Sequence, residues 1–400
     1  MISYGKQYID DEDISAVISV LQSDFLTQGP SISHFEEGLC SFTGATFCTA
    51  VSNGTAALHL AGIALGWKKG DIILSTPITF LSSVNAIVFS GATPDFVDIH
   101  PENYNIDVEK LRIKIESYRN HNQHIKAVVA VDYAGHPCDW KALYELSKEF
   151  DFQLVADACH SLGASYNNDT SYAARFADIT TLSFHPVKHI TTGEGGAILT
   201  NNEELHKKVQ LLRTHGMTKD ADMLIQNDGP WYYEMIDLGY NYRLTDFQAA
   251  LGSSQLKKLP SFIQKRKDLA KRYTDAFFHL HGQLLTESGD TTQSLLQLPI
   301  EQSSIQSAFH LYPILVNFEK LPITKIEFFQ HMLSNGIRLQ VHYIPVHLQP
   351  YYKNNFGFIK GDFPIAERFY ELEFSLPLYP SLQIAEQDSV INTLNKLLSI

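Results

Sequence analysis

Between residues 46 and 200 the sequence alternates two periodicities. Seven short runs, TFCTAVS, DIILSTP, PDFVDI, KAVVAVDY, QLVADA, DITTLSF and GAILT, read as strands. Between several of them lie stretches with helical spacing: TAALHLAGIAL, LSSVNAIVFS, VEKLRIKIES and WKALYELSKEF. A near-continuously apolar strand must be covered on both faces, and an intervening helix returns the chain to a parallel neighbour. The expectation is an α/β fold with a mostly parallel sheet between helix layers. Such sheets place ligands at the C-terminal ends of their strands, so chemistry is sought there.

The flanks extend this plan. SHFEEGLCSF reads as an amphipathic helix, with Ser33 as its cap and Glu36 three residues on. After residue 244, LTDFQAALGSSQLKKL and FIQKRKDLAKRYTDAFFHL read as two long helices, and GQLLTESGDTTQS as a polar, turn-rich surface loop. From about residue 296 the pattern is α+β, with strands in HLYPILV and IRLQVHY and helices in KIEFFQHMLS and EQDSVINTLNKLLSI. A chain of 400 residues exceeds one small core. The expected division is a large α/β domain at 1–245, N-terminal segment included, and connecting helices with a smaller α+β domain at 246–400.

Composition excludes some partners. Hydrophobic residues at 44% and charged residues at 19% suit a soluble globular protein. A formal net charge of −13 without a block of Lys or Arg argues against nucleic acid and against an anionic membrane surface. It leaves room for a local basic pocket. The N-terminus lacks the basic-then-apolar pattern of a signal peptide, and no apolar run reaches membrane-spanning length. Cys40, Cys48, Cys138 and Cys159 are scattered without a CxxC pair, which fits reduced thiols in a cytoplasmic protein.

Three features fall at expected strand ends. Ser52-Asn53-Gly54-Thr55-Ala56-Ala57 turns directly into a helix, either an ordinary capped start or a cradle in which free N–H groups hold a phosphate. Asp157 ends QLVAD, where it either caps the next turn or meets a cationic partner such as a protonated pyridine nitrogen. His160 either satisfies a core hydrogen bond or orients a cofactor oxygen. Lys188 lies in SFHPVKHITTGEGGAILT, as a solvated loop charge or as an amine able to form an imine. Pro186 argues against a helix bringing His185 and His189 to one metal, so no metal site is expected. GEGG lacks the spacings of the common nucleotide-binding loops. A phosphate-binding turn, an aspartate and a later lysine together fit a pyridoxal-phosphate (PLP) enzyme, with Phe80 of TPITF available to stack on the cofactor ring.

These residues resemble the DegT/DnrJ/StrS family of nucleotide-sugar aminotransferases. The likeness is carried by NGTAAL at 53–58, TPITF at 76–80, DACH at 157–160, SFHPVK at 183–188, GEGG at 193–196 and GYNYRL at 239–244. It runs from LTQGP at 26–30 to VHYIP at 341–345. The resemblance implies a fold-type I PLP-dependent transferase acting as a homodimer with shared active sites. It implies Lys188 as the Schiff-base lysine, Asp157 on the pyridine nitrogen and Phe80 on the ring. His160 stands near that ring, and Thr55, Ala56 and Ser183 stand at the phosphate. Asn241 reaches that phosphate from the neighbouring subunit, with Arg243 nearby, and Tyr312, His342 and Tyr343 lie on the sugar side.

VDYAG at 131–135, RTHGM at 213–217 and HLYPIL at 310–315 look most like the branch making UDP-4-amino-4,6-dideoxy-N-acetyl-β-L-altrosamine for pseudaminic acid. That branch implies C4 amination of a 4-keto-6-deoxy UDP-N-acetylhexosamine, with L-glutamate as donor. Arg213 and His215 are further candidates to meet the diphosphate charge. Two alternatives are an aminotransferase for another keto-sugar nucleotide and a non-catalytic PLP-binding regulator. Retention of Lys188, where some relatives carry histidine, favours transamination.

Overall fold

All seven apolar runs form strands of one sheet in the computed structural model, which describes residues 1–278, 282–283, 294–302 and 304–399. In chain order they are β1 (Phe47–Val51), β2 (Ile72–Ser75), β3 (Thr93–Phe96), β4 (Ile125–Val131), β5 (Gln153–Asp157), β6 (Ile179–Ser183) and β7 (Gly196–Thr200). The spatial order is β1-β7-β6-β5-β4-β2-β3, with only β7 antiparallel to its neighbours. Successive side chains of β5 enter different apolar clusters: Leu154 and Ala156 on one side, Val155 on the other. The same split runs along β4, so both faces are covered, as the apolar runs require. Helices α1 (Asp11–Leu21) and α2 (Pro30–Thr43) precede the sheet, and α3 (Gly54–Ala64) and α4 (Leu81–Phe89) follow β1 and β2.

A second sheet pairs Leu296–Gln297 with Tyr312–Val316, and the latter with Glu373–Leu376, all antiparallel. A third apolar cluster, including Ile314, Phe328, Phe374 and Leu394, packs around it.

Three local expectations change. IRLQVHY forms no strand, only isolated bridges at Ile337 and Gln340. Helix α2 begins at Pro30 with Gly29 as its N-cap, not at Ser33. Proline suits the first helical turn because its missing N–H would be unpaired there anyway. Glu36 instead faces inward, accepting from the Ala50 N–H and from Arg213, each at 2.7 Å. The two helices after residue 244 are one, α5 (Asp246–Phe278), which runs straight through Pro260. A proline inside a helix costs ~3 kcal/mol or more. Leu256 and Leu259 on one side of it, and Phe262 and Ile263 on the other, are all buried in the same cluster. Each contributes ~1.5–3 kcal/mol, so packing outweighs the lost hydrogen bond. Further along α5, Tyr273 and Phe277 enter the third cluster. Most of the loop read in GQLLTESGDTTQS lies outside the described residues.

Candidate active site

Strand register decides which residues meet. Across the sheet Val51 pairs with Gly196, which pairs with Ser183. Val131 pairs with Asp157, which pairs with Thr181. The C-terminal ends of β1, β4, β5 and β6 therefore lie along one edge, and the expected site is gathered there.

At the start of α3, Asn53 caps the helix by accepting the Ala56 N–H at 2.8 Å. Among the described residues, the N–H groups of Gly54 and Thr55 and the hydroxyls of Thr55 and Ser183 have no partner. Two glycines allow this crowding. A Cβ on Gly54 would sit 2.9 Å from Ser183 Cβ, and one on Gly196 would sit 2.5 Å from the Asn53 carbonyl oxygen. Free donors at the positive end of a helix dipole make an anion cradle.

Asp157 is buried, and its carboxylate is held at both oxygens: Ser83 Oγ donates to Oδ2 at 2.6 Å and the Cys159 N–H to Oδ1 at 3.2 Å. Ser83 stands on α4, and its hydroxyl also meets Thr79 Oγ1 at 2.7 Å. Ser83 was not legible from its neighbours, because nothing local to LSSVN indicates a partner on β5.

Lys188 follows β6, and its amine has no hydrogen bond or ion pair among the described residues. Burial pulls its pKa below the ordinary lysine range, while Cys159 and Asp157 pull it partly back. A depressed ammonium pKa yields more of the neutral, nucleophilic amine.

His160 is buried, with Nε2 3.2 Å from the Tyr343 hydroxyl and Nδ1 unpartnered. Burial first, then the Lys188 charge, holds its pKa well below that of free histidine. It is therefore a neutral ring. His310 lies 4.2 Å from it, centroid to centroid, and was not singled out from the sequence. Phe80 caps α4 and remains 55% exposed despite its size. Its ring lies 6.0 Å from Tyr343, so an aromatic side chain stands open beside the carboxylate-bearing strand ends.

The other candidates separate. The Arg243 backbone bridges to Val51, and its guanidinium has no partner among the described residues. Asn241 is exposed and bridges to Thr214. His342 is buried beside Tyr343. Tyr312 is not brought to this edge: it is fully buried in the third cluster, against Tyr273, with its hydroxyl 2.8 Å from Thr274 Oγ1. Arg213 is occupied by Glu36 and by the Ala50 carbonyl. His215 is exposed. Among the described residues, no group of three or more His, Cys, Asp or Glu could hold a metal ion.

An anion cradle, a fixed carboxylate, an open aromatic face and a buried amine suit one ligand: a phosphorylated aromatic heterocycle bearing an electrophilic carbon. Comparison with known proteins agrees. Residues 7–395 match the model of the DegT/DnrJ/EryC1/StrS aminotransferase family. The chain is 36% identical over 398 residues to the UDP-4-amino-4,6-dideoxy-N-acetyl-β-L-altrosamine transaminase of Campylobacter jejuni, covering 100% of this chain and 98% of the relative. Among solved structures it is similar to Helicobacter pylori PseC, an aminotransferase involved in pseudaminic acid biosynthesis. The TM-score is 0.87 at 32% identity, covering 100% and 99% of the two chains. NtdA of Bacillus subtilis, solved with bound cofactor PMP, matches with a TM-score of 0.83 at 27% identity, covering 98% of this chain and 83% of NtdA.

Proposed function

The chain belongs to the DegT/DnrJ/EryC1/StrS aminotransferase family, and on that premise we propose that it moves an amino group from L-glutamate to C4 of a UDP-linked 2-acetamido-6-deoxy-4-hexulose. It is a sugar aminotransferase whose cofactor is pyridoxal 5′-phosphate. The observation that carries the choice of sugar is the end-to-end identity with an altrosamine transaminase. The product on this reading is UDP-4-amino-4,6-dideoxy-N-acetyl-β-L-altrosamine, for pseudaminic acid.

The residues fit that cofactor. Unpartnered donors at Gly54, Thr55 and Ser183 suit its phosphate, and glycines stand where a Cβ would close the cradle. The bound cofactor supplies an electron sink that stabilises a carbanion next to the transferred nitrogen. Asp157, fixed by Ser83 and Cys159, would accept a hydrogen bond from the cofactor's protonated ring nitrogen. Phe80, exposed at the start of α4, would cover one face of the ring. Lys188 Nζ, buried and with its pKa pulled down, would remove and return the proton on the reacting carbon. His160, neutral and braced by Tyr343, orients the ring without adding a competing charge. Arg243 and Asn241 meet anionic groups, the second across a dimer interface, and His342 with Tyr343 borders the sugar.

The proposal includes a division near residue 245, with α5 starting there in the core of the large domain and reaching the third cluster through Tyr273 and Phe277. It also includes a cytoplasmic, homodimeric enzyme; no helix among the described residues is long and apolar enough to cross a membrane. The test is to supply the 4-keto sugar nucleotide with glutamate and locate the new amine by carbon–proton NMR correlations. Amination at C4 supports the reading. An amine at C3, or turnover only with deoxythymidine-linked sugars lacking the acetamido group, overturns it in favour of another keto-sugar nucleotide.

A further inference from the structure

Glu373 is a fully buried carboxyl that the transamination chemistry does not use. It begins the second sheet's Glu373–Leu376 strand, and its two oxygens point along different routes to one residue. Oε2 accepts the His342 backbone N–H at 2.9 Å. Oε1 lies 2.8 Å from Ser375 Oγ, which lies 2.9 Å from His342 Nδ1. On the other side, the Tyr133 hydroxyl donates to the His342 carbonyl at 2.5 Å. The imidazole is thus clamped at Nδ1 and at its own backbone. Its Nε2 has no partner among the described residues and is not among the sealed, unpartnered buried atoms.

A carboxyl, a hydroxyl and an imidazole in series admit two hydrogen-bond arrangements. With Glu373 neutral, Oε1–H donates to Ser375 Oγ, the serine donates to His342 Nδ1, and the ring proton is on Nε2. With Glu373 ionised, the serine donates to the carboxylate, Nδ1–H donates to the serine, and Nε2 carries a lone pair. Going from the first to the second, one proton leaves from Nε2, the serine hydrogen passes to Nδ1 and the carboxyl hydrogen passes to the serine.

We propose that Glu373 is a positioning residue that, through Ser375, sets whether His342 presents an N–H or a lone pair at Nε2 beside the active site. The next residue, Tyr343, braces His160, so the same clamp orders the polar wall around Lys188. This proposal holds whichever keto-sugar the enzyme takes.

The electrostatics are compatible with switching near neutral pH. Burial raises Glu373 above the ordinary carboxylate range, while the His342 N–H, the Ser375 hydroxyl and then Lys325, on the helix Lys325–Ser334, draw it back. Lys325 donates to the Tyr370 carbonyl at 2.6 Å, with Glu371 also near it. Tyr104, Tyr133 and Tyr343 face the carboxyl and are pushed further up by its charge. Burial and the Lys188 charge lower His342 to about 3, so its ring stays neutral while the tautomer changes.

The test uses the full-length holoenzyme labelled with ¹⁵N-histidine, reading tautomers from long-range proton–nitrogen spectra between about pH 5 and about pH 9. The His342 signal is identified by its loss in His342→Gln. The wild type should pass from Nε2–H to Nδ1–H as pH rises. Glu373→Gln, whose amide can donate to Ser375 while its oxygen accepts from His342, should hold Nε2–H throughout. Ser375→Ala should lose the pH response while the protein remains folded, and carries the test if the first variant does not fold. A His342 tautomer that responds to pH identically in wild type and either folded variant overturns the proposal.

Discussion

Ser83 Oγ donates to Asp157 Oδ2 at 2.6 Å, joining helix α4 to the end of β5. A buried carboxylate needs such donors, because in their absence it takes up a proton rather than stay charged. In the functional reading, Asp157 must stay ionised to hold a charged ring nitrogen. Ser83→Ala should cost ~1.5–3 kcal/mol of stability, the range for a hydrogen bond to a charged group. It should also speed cofactor loss. Urea unfolding and the decay of cofactor absorbance after dilution check the two effects, and unchanged cofactor retention would separate Ser83 from the site.

Lys188→Ala should lower transamination by at least about a hundredfold, since it removes both the nucleophile and the proton carrier. Cofactor binding should survive in part through the α3 cradle and Asp157. Borohydride reduction of the wild-type holoenzyme followed by peptide mapping should label Lys188. A label on any other lysine contradicts the assignment.

A heterodimer should rescue two dead variants. Asn241 is exposed on its own chain, which suits a contact made to a neighbouring subunit. Mixing Lys188→Ala with Asn241→Ala, each inactive alone, should restore activity once subunits exchange, because one site then holds both intact residues. Full activity from a species that light scattering shows to be monomeric would rule out a shared site.

Stability should fall on mild acidification, partly through His136. Burial holds it at about 4 in the folded chain, against about 6.5 for an unperturbed histidine. Between those values the unfolded chain binds a proton that the folded chain refuses, so folding weakens as pH drops and is favoured above the window. His136→Asn, which keeps a donor near the Pro137 carbonyl, removes that proton. Urea unfolding at about pH 6.5 and about pH 4.5 should show the wild type losing roughly 2 kcal/mol more than the variant. Equal losses would mean that His136 does not titrate differently on folding.

The central sheet was legible because a buried strand and a covering helix each leave a local signature: all-round apolar runs in one case, helical spacing in the other. All seven strands were present where the runs stood. The capping turn at Asn53, the strand-end position of Asp157 and the loop position of Lys188 followed, since they depend on neighbours within a few residues. Where local rules were set against distant packing, they failed. Pro260 reads as a break, but the apolar side chains on either side of it share one core and carry the helix through. Tyr312 sits in a motif-like segment, yet its strand turns it into the third cluster, away from the site. Register lay beyond the sequence: pairings such as Ser183 with Gly196 with Val51 are set by side chains covering both faces at once. So did the contacts of Ser83 with Asp157, Tyr343 with His160 and Glu373 with His342. Each joins residues from separate elements, and a hydrogen bond between them is decided by ångström-scale distances that only the packed chain sets.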